Sequence, residues 1–151
     1  HRLEFVYDTI VKAPVSIVWD ALMDPTAMEP HLPGTAKVVS TGTSGYRISM
    51  KISMGFLRPT VNADVQLSNV DEPRSFNIEL SGKSMGAGVS GNAEVSLEIA
   101  GNVAETTRVR MTGAVETSGL LKKISDLKIE AAATEFLESY FFSVERTVSP
   151  I

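Results

Sequence analysis

The fold is decided at residues 13–34, which read APVSIVWDALMDPTAMEPHLPG. Ala13-Pro14 ends a preceding strand, because proline has no N–H to give to a sheet and is well suited to the start of a helix. The apolar residues of 15–23 then recur at helical spacing, which predicts a short helix with one apolar face. Asp24 is predicted to cap a second short helix that starts at Pro25. The stretch therefore places two short helices directly after a strand.

Segments with clean alternation of apolar and polar residues lie on both sides of this stretch. Residues 2–11 alternate and predict an opening strand, with Leu3, Phe5, Tyr7, Thr9 and Val11 on one face. Later strands are predicted at residues 36–41, 46–54, 59–67, 76–80, 91–99 and 107–115. One buried face and one wet face indicate an antiparallel sheet. The connections are too short for the helices that a parallel sheet would need.

The connections between these segments are mostly turn-like. The short links at 42–45, 71–73 and 100–102 are predicted to close hairpins. Ser81–Gly91 is the exception, because four glycines within it predict a bulged, bent or mobile region. This glycine string is no phosphate loop, since it lies between two antiparallel strands and lacks the Gly-x4-Gly-Lys-Ser/Thr spacing.

From about Ser118 the apolar residues recur with the period of a helix. They form a stripe from Leu120 to Val144. With Ser118 as the cap, the helix is predicted to reach Arg146, which is roughly 28 residues or about 42 Å. The strands can bury their apolar faces only against this helix, so the sheet should curl over it. The predicted class is α+β: a curved antiparallel sheet of six to seven strands grips a long C-terminal helix, with two short helices after the first strand. All of residues 1–151 are expected to form a single domain.

Composition excludes several classes of function. The formal net charge of −4 argues against a nucleic-acid-binding protein. The absence of cysteine excludes disulfides, thiol catalysis and thiolate metal sites. With His31 as the only histidine after residue 1, no metal site and no cofactor are predicted. No apolar run reaches the roughly 18 residues of a spanning helix, and no signal-peptide pattern is present, so we expect a cytoplasmic protein.

In this order of elements the chain resembles the START/Bet v 1-like (SRPBCC) helix-grip superfamily, and within it the CoxG group, named for one of the subunits of carbon monoxide dehydrogenase. The residues that carry the resemblance are Ala13-Pro14, Val18-Trp19, Leu22, Asp24-Pro25, Leu32-Pro33-Gly34 and the glycine-rich 86–91. The resemblance implies a protein that binds a hydrophobic ligand and has no redox centre of its own. It also implies an association with the maturation of molybdenum hydroxylases of the CO-dehydrogenase type, or with their electron transfer through quinone.

The sequence departs from the group at two places. Members often carry cysteine where His31 stands, so any role of a thiol there is absent. Members can also carry a C-terminal extension associated with membrane attachment, whereas this sequence stops at Ile151. Membrane contact is therefore not encoded in this segment, while a peripheral position at the inner membrane face stays open as an alternative to a purely cytoplasmic one.

An apolar pocket is predicted inside the grip. Methionine suits surfaces that adapt to variable apolar ligands, although it also serves as core filler. Ala131, Ala132 and Ala133 put small side chains at the middle of the long helix, where they either allow close docking or leave a cavity. Trp19 is expected between the short helix and the sheet, where a structural role is favoured. The candidate ligand-binding residues are Trp19, Met28, Leu32, Met50, Ile52, Met54, Phe56, Met85, Met111, Phe136 and Tyr140, with the Tyr140 hydroxyl as a polar anchor.

Three functions remain open on this basis. The first is a non-catalytic binding protein for a quinone- or lipid-like molecule, accessory to a molybdenum hydroxylase. The second is a cyclase- or hydrolase-like helix-grip enzyme that uses His31 or Tyr140. His31 lies near Asp24 and Glu29 in sequence, but a solvated loop histidine is the favoured interpretation, and no catalytic residue is assigned. The third is a protein-interaction module with a solid core.

Overall fold

Seven strands and one long helix dominate the computed structural model, which describes residues 2–32, 36–42, 44–51, 60–84, 86–101 and 105–148. The strands are β1 (Arg2–Val11), β2 (Lys37–Ser40), β3 (Gly45–Lys51), β4 (Thr60–Asp71), β5 (Ser75–Ser84), β6 (Ala87–Ile99) and β7 (Thr107–Gly119). The helices are α1 (Val15–Met23), α2 (Pro25–Met28) and α3 (Asp126–Val148), with a first 3₁₀ helix at Glu29–His31 and a second at Leu120–Lys123.

The strands form one sheet in the order β1-β7-β6-β5-β4-β3-β2, and every neighbouring pair is antiparallel. The opening strand therefore pairs with the last one, from Arg2 opposite Glu116 to Val11 opposite Thr107. This arrangement confirms the predicted α+β helix-grip class. The short links at 42–45, 71–73 and 100–102 connect antiparallel neighbours, as expected of hairpins.

The junction between β1 and α1 has the structure that the local sequence predicts. Helix α1 has the predicted bounds, and the Asp24 carboxylate accepts a hydrogen bond from the Thr26 N–H over 3.0 Å at the start of α2. The fully buried Thr107 hydroxyl donates to the Ala13 carbonyl over 2.8 Å, which fixes the end of β1 to β7. A buried carbonyl without such a partner would be costly.

The long helix begins later than predicted. Strand β7 continues through Ser118 to Gly119, which pairs with Ala87. Gly119 has a φ of 62°, and a Cβ there would overlap the Gly86 carbonyl oxygen, so this position requires glycine. A 3₁₀ helix follows, and Ser125 rather than Ser118 caps α3, with Oγ 3.3 Å from the Lys128 N–H. The prediction of a helix over 118–146 was wrong at its start.

The glycine-rich hairpin is also more regular than predicted. Pairing of β5 with β6 runs from Ser75 opposite Ser96 to Ser84 opposite Ala87 without a register shift. A register shift occurs instead in β4, between Ser68 and Asp71. Gly82 makes room for its neighbours, because a Cβ there would lie 3.1 Å and 3.2 Å from methyl groups of Val89 and Val61. Gly82 thus serves close packing between strands, and no bulge is present in the described part of Ser81–Gly91.

Candidate functional site

Burial changes along the inner face of the sheet. At the end next to α1, Val11 and Val109 are fully buried, and Phe76 and Leu97 are 2% and 4% exposed. Towards the other end of the sheet, many inward side chains become accessible to solvent, although Val61 and Ala63 of β4 stay buried. These partly exposed positions are Leu3, Phe5, Met50, Ile78, Leu80, Met111 and Val115. The grip is therefore closed at the α1 end and open at the opposite end, which we call the mouth.

Small residues lie on the inner face of the sheet and on α3. Gly91, Ala93 and Gly113 occupy adjacent inward positions of β6 and β7 and are only partly buried. On α3, Ala132 and Ala133 are also partly exposed. Closely docked alanines and glycines would be shielded from solvent, so these residues border an opening. We call this space, between the first half of α3 and the small residues of β6 and β7, the gap.

Aromatic rings form a continuous wall between the gap and the closed core. Phe136 stacks on Tyr140 with ring centroids 6.2 Å apart, and Tyr140 meets Phe141 edge-on at 5.6 Å. Phe141 stacks on Tyr7 at 6.4 Å, and Tyr7 stacks on Phe5 at 6.5 Å. The outer members Phe136 and Phe5 are partly exposed, whereas the three between them are buried. Aromatic and aliphatic walls of this kind suit an apolar ligand.

The inner surface is uncharged. Within the described residues, the inward positions of β1 and β3–β7 carry no charged side chain. Burial raises the pKa of Tyr46 to about 12, and burial together with the nearby Tyr46 raises the pKa of Tyr140 as well. The Tyr140 hydroxyl donates to the Ala21 carbonyl. It can therefore offer a ligand only its oxygen as an acceptor, which restricts its predicted role as a polar anchor.

His31 lies at a joint between elements, and its interpretation as a solvated loop residue was wrong. Its Nδ1 is 2.8 Å from the Ser143 hydroxyl of α3, and its ring meets Tyr140 edge-on at 5.6 Å. Burial lowers the pKa of His31. Asp24 accepts from the Thr26 N–H, and Glu29 accepts from the Val38 N–H over 3.3 Å. Both carboxylates thus accept hydrogen bonds from backbone N–H groups rather than from the His31 imidazole.

The eleven predicted ligand-binding residues fall into three groups. Trp19, Met28, Leu32 and Tyr140 belong to the packed core, each at most 8% exposed. Trp19 lies edge-on to Phe76 at 5.6 Å, which closes the α1 end. Met50, Met111 and Phe136 are partly exposed on the inner surface. Ile52, Met54, Phe56 and Met85 lie outside the described residues.

Sequence reasoning missed several residues on the inner surface. Phe5, Ile78 and Leu80 face inward and are partly exposed, as Met111 is. Alternation placed all of them on the inner face, but only the strand register shows which end of each strand lies at the mouth. Gly113 had no signal beyond its small size, and Gly91 was noticed only as part of the glycine-rich stretch.

A polar concavity of about 600 Å³ lies on the outer face of the sheet. Its lining includes Arg47 and Asp64, which form an ion pair at 2.7 Å, and Glu79 and Asn92. Its lining carries charged side chains, unlike the inner surface around the gap. In the parts of the chain that the structure describes, no group of three or more metal-ligating side chains occurs. No helix among those residues has the length and apolar character needed to cross a membrane.

The sequence matches the family of the carbon monoxide dehydrogenase subunit CoxG over residues 9–149. The chain belongs to this family. Solved structures share its fold at low identity. A conserved protein from Geobacillus kaustophilus superposes with a TM-score of 0.87 at 17% identity, covering 98% of this chain and 96% of that one.

Two further solved structures bear on the fold of this CoxG-family chain. The ZhuI aromatase/cyclase from Streptomyces sp. R1128 gives a TM-score of 0.69 at 17% identity, covering 98% of this chain and 96% of that one. A START superfamily protein from Mycobacterium smegmatis gives 0.69 at 14% identity, covering 97% of each chain. No curated protein matches the chain by sequence. At these identities the structural likeness establishes the fold alone, which is START-like.

Proposed function

We propose that this chain is a non-catalytic binding protein for a hydrophobic small molecule, quinone- or lipid-like, held in the gap between α3 and the sheet. One observation carries the proposal: small inward residues of β6 and β7 remain partly exposed, as do Ala132 and Ala133 of α3, and apolar side chains occupy the neighbouring inward positions of the sheet. An uncharged inner surface lined by Met50, Met111 and Phe136 fits such a ligand.

A pair of variants on one strand tests this. Ala93 faces inward beside Gly113, whereas Asn92 faces outward on the same strand. Ala93→Ile should fill the gap and weaken binding of a quinone or fatty acid by roughly tenfold or more, since the ligand loses its space. Asn92→Ile should leave binding unchanged. Native mass spectrometry of detergent-free protein, followed by titration with each ligand, measures both variants.

The same two variants also distinguish an open gap from a solid core. In a gap, the added methyl groups of Ala93→Ile find empty space and leave the melting temperature almost unchanged. In a packed core they would destabilise the protein by about 1–3 kcal/mol. A destabilised Ala93→Ile, together with wild-type protein that takes up no quinone or fatty acid, would favour the interaction module instead.

The proposed partner is a molybdenum hydroxylase of the CO-dehydrogenase type. The family description, which names carbon monoxide dehydrogenase, supports this assignment. Co-purification of the tagged chain with hydroxylase subunits from its source cells would support the partner. A gene neighbourhood without any hydroxylase genes would count against it.

A helix-grip enzyme is the second candidate, and the contact between His31 and Tyr140 favours it. The similarity to an aromatase/cyclase is a likeness of fold. His31→Ala and Ser143→Ala both remove the hydrogen bond that joins the first 3₁₀ helix to α3. Any turnover that His31→Ala abolishes and Ser143→Ala retains would assign chemistry to the imidazole. If both variants keep full function, the enzyme hypothesis fails and the non-catalytic binding protein is the function that remains.

A further inference from the structure

The Tyr46 hydroxyl is a buried polar group without a partner. Tyr46 is 5% exposed, and its hydroxyl forms no hydrogen bond within the described residues. The buried Tyr140 hydroxyl, in contrast, donates to the Ala21 carbonyl. An unpaired buried hydroxyl costs free energy, and few such groups occur in native proteins. Tyr46 is therefore positioned for a partner that comes from outside the chain.

Strand register connects Tyr46 with the gap. Tyr46 pairs with Val65 of β4, and Val65 pairs with Leu80 of β5. The next residue of this inward row is Gly91, which borders the gap. Leu80 and Gly91 are partly exposed, whereas Val65 is buried as Tyr46 is. The row therefore leads from the open gap to the buried tyrosine.

A second buried hydroxyl, that of Tyr140 on α3, accompanies Tyr46. Tyr140 is also 5% exposed, and its electrostatic interaction with Tyr46 contributes to its raised pKa, so the two hydroxyls lie within electrostatic range of each other. The partly exposed Phe136 stacks on Tyr140. Because the Ala21 carbonyl takes the Tyr140 proton, the Tyr140 oxygen can only accept a further hydrogen bond. The two tyrosines thus offer one donor and one acceptor.

We propose that Tyr46 and Tyr140 form the polar end of the ligand site and select an apolar molecule that carries a hydroxyl group. The ligand oxygen accepts from Tyr46, and the ligand O–H donates to the Tyr140 oxygen, so a single hydroxyl satisfies both tyrosines. A quinone carbonyl would satisfy Tyr46 alone, and a carboxylate would bring a charge to an uncharged surface. This assignment rests on the proposed function and narrows the ligand to alcohols, phenols and hydroquinones.

Thermal unfolding without ligand tests whether the Tyr46 hydroxyl is unpaired. Tyr46→Phe should leave the melting temperature unchanged or raise it, because the variant loses a buried polar group that has no partner. Tyr140→Phe should lower it by about 2–4 °C or more, since the Ala21 carbonyl then loses its donor. An equal loss in both variants would show that Tyr46 already has a partner within the protein, which would overturn the proposal.

Three matched compounds test the selection of a hydroxyl group. They are para-hexylphenol, its methyl ether and hexylbenzene, and displacement of a fluorescent apolar dye measures the affinity of each. Wild-type protein should bind the phenol roughly tenfold more tightly than the ether, because the ether cannot donate to Tyr140. Tyr46→Phe should weaken binding of the phenol and of the ether roughly tenfold each and leave the affinity for hexylbenzene unchanged.

The control variant removes a buried hydroxyl outside the gap. Thr107→Val deletes the hydroxyl that donates to Ala13 at the closed end, and it should leave the relative affinities of the three compounds unchanged. Equal wild-type affinity for all three compounds would overturn the polar end and leave the proposed function standing. If the wild type binds none of them, the proposed function falls and the polar end falls with it.

Discussion

Thr107 is a polar side chain without any exposed surface, and it holds the end of β1 in place. Its hydroxyl donates to the Ala13 carbonyl over 2.8 Å. Thr107→Val keeps the shape but leaves that carbonyl without its hydroxyl donor, which should cost about 1–3 kcal/mol of unfolding free energy. Thr112→Val, at an exposed position of the same strand, should cost less than about 0.5 kcal/mol. Urea denaturation of both variants checks the difference, and equal losses would contradict it.

His31 should make stability depend on pH. Burial lowers its pKa below the ordinary 6.5, so the unfolded chain binds this proton at a higher pH than the folded chain does. The stabilising contribution is complete above the unfolded pKa and decreases as pH falls towards the folded pKa, after which it levels off. His31→Asn keeps a polar group near Ser143 but does not titrate.

The wild type should therefore lose more stability than His31→Asn when pH drops from about 7.5 to about 5. Chemical denaturation at the two pH values measures this double difference, in which the carboxylates common to both proteins cancel. A wild type that loses no more than the variant would show that His31 keeps an ordinary pKa in the folded protein.

Residue types predicted some of these contacts and not others. The Asp24 cap could be predicted from the neighbouring Pro25 alone, because the hydrogen bond from the Thr26 N–H to the Asp24 carboxylate joins residues only two positions apart. The His31 contact with Ser143 joins residues 112 apart. No local pattern encodes such a pair, so the sequence predicted a solvated histidine.

At the scale of elements, the start of α3 provides a direct test of capping. Ser125 Oγ accepts from the Lys128 N–H over 3.3 Å, whereas Ser118 lies within β7. Ser125→Ala should therefore cost about 1 kcal/mol, and Ser118→Ala should cost much less. Thermal unfolding followed at 222 nm compares the two. A larger loss in Ser118→Ala would place the helix start where the sequence pattern put it.

The pattern misled because local periodicity competes with strand pairing. Leu120, Leu121 and Ile124 recur at helical spacing, but β7 extends to Gly119 through its pairing with β6. The positive φ of Gly119 then turns the chain into a 3₁₀ helix. The exposed Leu120 and Leu127 belong to the predicted apolar stripe but not to the core.

The positions of the strands were easier to predict than the burial of their inward side chains. Alternation predicted which side chains of β3–β7 face inward, and it located the core strands, although most run longer than expected. It could not predict that Val95 is buried while Ala93, two residues away, is partly exposed. That difference depends on where α1 and α3 cover the sheet, which is a property of the tertiary arrangement.

At the scale of the whole molecule, the closed end and the mouth should differ in local stability. Amides of 95–97 and 107–109 lie beside fully or nearly fully buried side chains and should exchange hydrogen only on global unfolding. Amides of 126–133 should exchange faster, because the facing surface of α3 is open to solvent. A bound apolar ligand should slow exchange in 126–133 and leave 107–109 unchanged. Mass spectrometry of exchanged peptides measures both, and uniform exchange along α3 and β7 would contradict the gradient.

The pairing of β1 with β7 has a consequence for synthesis on the ribosome. Asp8 meets Arg108, 100 residues later, and the Lys12 N–H donates to Glu145, 133 residues later. Tyr140 binds the Ala21 carbonyl across 119 residues. Strand β1 is made before β7 and α3, so it can adopt its final position only after β7 and α3 have left the exit tunnel. Until then the apolar face of β1 depends on chaperones or on transient contacts for protection.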